Sequence, residues 1–145
     1  MSNPEADIAA GVQTKWEATS VLTDMNLWRG RIKSADRPAM PYATVTVSRG
    51  STPNVYMAPN APGGPYLDYR SVEISIYCRA DDADDLTSRL DAAFCHWPTL
   101  TVPNSVFRSC RCVEPASAIL DPATRSGEDV WKVHCRLEVL TQRTL

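Results

Sequence analysis

The spacing of hydrophobic and polar positions changes along the chain, and each change marks an element. From Tyr69 to Cys78, Val72, Ile74, Ile76 and Cys78 alternate with Ser71, Glu73, Ser75 and Tyr77. A period of two is the mark of a strand with one buried face. Beyond Asp81 and Asp82, the residues Ala83, Leu86, Leu90, Ala93, Phe94 and Trp97 recur three and four apart, as on the apolar stripe of a helix. Either aspartate can cap that helix. Asp84 and Asp85 then fall in its first turn, where the helix dipole favours negative charge. Pro98 discourages continuation. A strand and a helix, each with one apolar side, hide both sides by packing together.

The same reading extends outward. Asn3-Pro4-Glu5 is a helix start, and Ile8, Val12 and Trp16 follow at steps of four, with Ala9 beside them and Leu22 extending the line. This predicts a helix from Pro4 to Val21. Leu27–Ile32 is a short strand or an irregular segment. Tyr42–Ser48 is a β-branched strand with Ala43, Val45 and Val47 on one face and Tyr42, Thr44, Thr46 and Ser48 on the other. Val106–Glu114 reads as a strand with Val106, Arg108, Cys110 and Cys112 on one side. Pro115–Glu128 reads as a long turn. In the last strand, Trp131, Val133, Cys135, Leu137 and Val139 point inward, and Lys132, His134, Arg136 and Glu138 point outward. The order is α-β-β-β-α-β-β. The fold class is α+β: one antiparallel or mixed sheet of about four to five strands, with two helices on one face. There is one domain, residues 1–145.

Gly50–Asp68 breaks the pattern. It holds four prolines and the Gly63-Gly64 pair, yet also Val55, Tyr56, Met57, Tyr66 and Leu67. A structureless loop this long is unusual inside a domain. The segment is therefore expected to form a long β-hairpin arm over about residues 48–70, extending beyond the sheet. Tyrosines and a methionine on an arm are residue types that fill partner pockets. Trp28, flanked by Arg29 and Arg31, is expected to be a partly exposed aromatic anchor. The candidate interface residues are Trp28, Arg29, Arg31, Val55, Tyr56, Met57, Tyr66 and Tyr69.

Composition adds exclusions. The chain of 145 residues has 43% hydrophobic and 22% charged residues and a net charge of −2, a globular balance without a broad basic surface for nucleic acid. No apolar run suggests a membrane span, and the polar, acidic start does not read as a secretory signal. Five cysteines, an odd number, are expected as free thiols in a reducing compartment. Cys110-x-Cys112 with His134-Cys135 is the one arrangement that suggests a metal, but structural zinc sites favour C-x2-4-C pairs in tight turns. Cys95-His96 puts a nucleophile beside a base, although adjacent helical residues point about 100° apart. The four aspartates lack a calcium loop's spacing. No hydrolase, zinc-protease or phosphate-loop motif is present. The expectation is no enzyme and no cofactor.

Taken in order, these segments resemble a known family. Leu27-Trp28-Arg29-Gly30-Arg31-Ile32 follows an N-terminal helix, and Pro41-Tyr42-Ala43-Thr44-Val45 opens a strand. After a variable arm come Tyr69–Tyr77, a helix ending near Phe94, a link with Leu100 and Val102-Pro103, and Gly127-Glu128-Asp129-Val130-Trp131. This resembles the tail-completion proteins of tailed bacteriophages, the tail-terminator family. The resemblance implies a non-catalytic ring, commonly a hexamer, that caps the tail tube and meets the neck or connector protein. It places the protein in the virion, and in the host cytoplasm during assembly. DNA would pass through the lumen without specific binding, and a nearly neutral subunit suits that passage. No invariant functional residue carries over. The alternatives are another head–tail neck component, a small metal- or ligand-binding module using Cys110, Cys112 and Cys135, and an enzyme built on carboxylates or Cys95.

Overall fold

Two helices pack on one face of a mixed sheet, giving an α+β fold. The computed structural model describes residues 3–30, 38–50, 55–56, 65–121 and 129–144, residues 55–56 by their backbone alone. The elements are α1 (Pro4–Ala18), β1 (Leu27–Arg29), β2 (Tyr42–Arg49), β3 (Val55–Tyr56), β4 (Pro65–Cys78), α2 (Ala80–Phe94), β5 (Val106–Leu120) and β6 (Trp131–Thr144). Five strands lie in the order β1-β2-β4-β6-β5, and the short β3 pairs with β4 off that line. β1 runs parallel to β2, and the other pairings are antiparallel.

Local chemistry sets the helix ends. Asn3 Oδ1 accepts from the Glu5 and Ala6 N–H groups at 2.9 and 3.4 Å, and Pro4 takes the first helical position. The helix stops at Ala18, three residues short of the predicted Val21. Thr19 turns extended there, its N–H bonding the Trp16 carbonyl and its hydroxyl the Lys15 carbonyl. In α2 the cap position is Arg79, without a side-chain cap bond, and Asp81 and Asp82 sit inside the first turn. The expectation that one of them caps the helix, with Asp84 and Asp85 in its first turn, is corrected: the helix begins earlier than the aspartates, and they face its positive end from within.

One apolar cluster joins both helices to the sheet. Ile8, Val12 and Trp16 of α1 and Ala83, Leu86, Leu90 and Phe94 of α2 meet Val45, Val72, Ile74, Ile76, Val133, Leu137 and Val139. Trp16 stacks on Phe94 at 6.2 Å. Trp97, predicted on the same stripe, is instead 72% exposed. The helix ends at Phe94, Pro98 disfavours a helical conformation for the residue before it, and Trp97 leaves the stripe at φ +50°.

β5 and β4 run beyond their predicted bounds, and β6 continues past Val139 to Thr144. β5 passes through Pro115 to Leu120, where a long turn was expected. As the last strand of the sheet it needs bonds on one side only. Register shifts at Phe107/Ser109, Cys112/Glu114 and Glu114/Ser117 absorb the proline, a residue that edges and bulges tolerate. These shifts also break the simple alternation: Phe107, Cys110 and Cys112 lie opposite inward-facing Thr141, Val139 and Leu137, whereas Val106 lies opposite Gln142 on the other face. β4 begins at Pro65 rather than Tyr69 and pairs with β6 along its full length, from Pro65↔Thr144 to Cys78↔Trp131.

That pairing changes the expected arm. Its descending limb lies within the sheet rather than beyond it. On the other edge of β4, β2 pairs as far as Arg49↔Arg70, and β3 resumes at Val55↔Leu67. Gly50 begins the interruption, its N–H reaching the Tyr69 carbonyl at 3.3 Å; a Cβ there would come within 3.1 Å of that oxygen. The tip, residues 57–64, is outside the described residues.

Past the apolar cluster, the helix face ends in buried polar groups. Asp7 of α1 pairs with Arg143 of β6 at 2.7 Å and accepts from Asn104 Nδ2 at 3.3 Å. Asp68 of β4 is fully buried and holds Arg70 Nε at 2.9 Å, and Arg70 also reaches Glu5.

Candidate functional site

The surface around β1 is built by the turn that precedes it. Leu22 and Met25 are buried, and the Trp16 indole N–H donates to the Met25 carbonyl at 2.9 Å. β1 is then held on β2 by Ala43 N–H to the Asn26 carbonyl and Gly30 N–H to the Val45 carbonyl. Gly30, just past the end of β1, has φ +77°. Between α1 and β1 a groove of about 470 Å³ remains, lined by Gln13, Trp16, Glu17, Met25, Leu27 and Trp28, among others. Arg29 Nε donates to Gln13 Oε1 across it at 2.9 Å.

The predicted interface residues separate on this framework. Trp28 is 45% exposed on an outer strand, beside the groove, and Arg29 is exposed with it. Tyr69 is half-buried on β4. Tyr66 is buried in the single chain, so the expectation of an accessible anchor there is corrected: β4 enters the sheet before it reaches this residue. Val55 and Tyr56 supply the β3 pairing through their backbones. Arg31 and Met57 lie outside the described residues. Sequence reasoning missed Trp97 as an exposed aromatic. The adjoining Pro98 was the available signal.

The far edge of the sheet is β5, where Val106, Val113, Ile119 and Leu120 are exposed. The sheet face away from the helices is laced with charge. Lys132 meets Glu73 at 3.0 Å, Arg136 meets Glu114 at 3.1 Å, and Arg111 meets Glu138 at 3.3 Å. Burial works to raise the Glu73 carboxyl, but the Lys132 ammonium more than reverses this and holds it below 4.5. Burial likewise works to lower Lys132, and Glu73 holds it above 10.5.

The cysteines singled out by spacing come together in part. Cys110, Cys112 and Cys135 lie on the helix face of β5 and β6, while His134 lies on the opposite face of its strand. The unforeseen member is Cys95, at the end of α2, which packs on the same core. His96 turns to solvent, its Nε2 2.9 Å from the Asp91 carboxylate. All five thiols are free. Among the described residues, no group of three or more histidine, cysteine or acidic side chains is placed to hold a metal ion, and no helix is long and apolar enough to cross a membrane.

No family model matches the chain, and no curated protein does. Solved structures do match. One of them is 15% identical over 92% of this chain and 91% of that chain, with a TM-score of 0.53. Its name carries no functional description, and at that identity the likeness is one of fold.

Proposed function

We propose that the protein is a structural part of a phage virion: a tail terminator whose copies close into a ring, hexameric in this reading, that caps the tail tube and joins it to the neck. The order of segments from Trp28 to Trp131 supports this reading. The observation that carries it furthest is that the sheet has two unlike outer strands. One is the three-residue parallel β1, beside a groove and the exposed Trp28. The other is the fifteen-residue β5 with four exposed apolar side chains. Unlike surfaces at opposite ends of one subunit suit head-to-tail contacts, which close into a ring when the rotation per subunit allows. Light scattering on a size-exclusion column, followed by negative-stain microscopy, tests the proposal. Rings of one fixed subunit number are expected, alone or on added tail tubes. Protein that stays monomeric in both conditions refutes it.

A further inference from the structure

The open face of the sheet carries a groove where positive charge gathers, in a chain whose net charge is −2. One continuous row of the register crosses four strands there. Ser48 of β2 lies opposite Ser71 of β4, Ser71 opposite Glu138 of β6, and Glu138 opposite Arg111 of β5. Arg49 and Arg136 join that row around a cavity of about 380 Å³. Three strand spacings make the row roughly 14 Å across. We propose that this groove receives the acidic start of α2 from a second copy of the chain, in a head-to-tail contact.

The groove has guanidinium groups to spare. Arg111 meets Glu138 at 3.3 Å and Arg136 meets Glu114 at 3.1 Å, while Arg49 makes no ion pair among the described residues. All three arginines are exposed. Exposed pairs of this kind hold weakly. A guanidinium has five N–H donors, so one carboxylate leaves others for a further acid. Ser48 and Ser71 add hydroxyl donors along the same row. Such a groove suits several carboxylates held on one rigid element.

The first turns of α2 hold that charge. Asp81, Asp82, Asp84 and Asp85 are all exposed, and among the described residues only Asp85 of the four has an ion-pair partner, Arg89 at 2.8 Å. The helix dipole accounts for acid in the first turn, and the charge continues beyond it. A helix about 10–12 Å wide fits a groove of this span. The chain cannot fill its own groove. Cys78, where β4 ends beside α2, lies seven positions along the strand from Ser71, about 23 Å at a strand's rise. α2 also packs on the other face of the sheet. The two complementary surfaces are therefore different and far apart, which is the condition for a heterologous contact that can close into a ring. This contact rests on the ring reading above and is one of those that close the ring.

The test reads assembly by light scattering, alone and on added tail tubes, for the full chain and two charge-reversed variants. One variant carries Arg49→Glu with Arg111→Glu in the groove. The other carries Asp81→Lys with Asp84→Lys, three apart on one side of α2. Each variant alone sets like charges face to face and should need at least about tenfold more protein to assemble. Mixed in equal amounts, the two alternate around a six-membered ring and every contact again pairs opposite charges. Assembly should then return to the wild-type concentration. Melting curves check that each variant is folded. Where one is not, the wild type decides: raising salt from about 50 mM to about 500 mM shortens the screening length and should weaken its assembly several-fold. Folded variants that assemble as well as the wild type, or assembly that ignores salt, overturn the contact and leave the ring standing. A mixture that does not recover also overturns it and gives the groove to another acidic partner. Wild type that stays monomeric in both conditions removes the ring and the contact together.

Discussion

Single side chains set tolerances here that composition does not reveal. Gly11 is one. A Cβ at this position would come 2.9 Å from the Thr101 carbonyl oxygen and 3.1 Å from Val102 Cγ2. Alanine in a helix interior normally gains about 0.5–1 kcal/mol over glycine. At Gly11 the backbone oxygen must move, so Gly11→Ala should lower the melting temperature rather than raise it; calorimetry decides the sign. Glu73 gives a pH signature. Its carboxyl is held below 4.5 in the folded chain, so its share of stability is present above pH 4.5 and disappears as pH falls through the folded value. Lys132 is held above 10.5, so its share is present below pH 10.5 and disappears as pH rises through its folded value. Melting curves of wild type and Glu73→Gln should therefore differ most near neutrality and converge at both extremes. A gap that is constant across pH would remove the ion pair as its cause. Neither Gly11 nor the Asp7–Arg143 pair was legible in the sequence. Both depend on contacts with residues far along the chain, and local spacing carries no trace of them.

At the scale of elements, the strand cores of β2, β4 and β6 and the stripe of α2 were legible, because buried faces impose periods of 2 and 3.6 on the residues. Val72, Ile74, Ile76 and Cys78 are all fully buried, as their alternation implied. What escaped was set by neighbours. β4 extends back to Pro65 because β6 offers fourteen partners, and β5 runs through Pro115 because an outer strand can spare one N–H. Cys95 joined the other thiols through packing between α2 and the sheet, which no spacing within either element encodes. Phe94 tests how much of that packing holds α2 in place. Its ring is fully buried against Trp16, so Phe94→Ala should cost about 3–5 kcal/mol in denaturant unfolding. A loss under 1 kcal/mol would mean that α2 is held mainly by its first three turns.

Considered as a whole, the chain carries its two most exposed indoles, Trp28 and Trp97, outside the core that stabilises it. Tryptophan is among the residue types most enriched at interface hot spots. Trp28→Ala and Trp97→Ala should leave the monomer's melting temperature within about 2 °C, since surface changes usually stay within about 0.5 kcal/mol. If the ring proposal holds, each should raise the concentration needed for assembly, as read by light scattering. Unchanged assembly in both would place the contacts elsewhere. Pro115 has a different consequence for the molecule in bulk. It interrupts the outer ladder between Cys112 and Ser117, so the register stays unbroken only over short runs such as Ser109–Cys112 and Ser117–Leu120. A stray strand from another protein finds no long template to zip onto, and fibrillar growth is starved at its first step. Crowded solutions of this chain should stay clear for that reason, and valine at 115 is where cloudiness would begin.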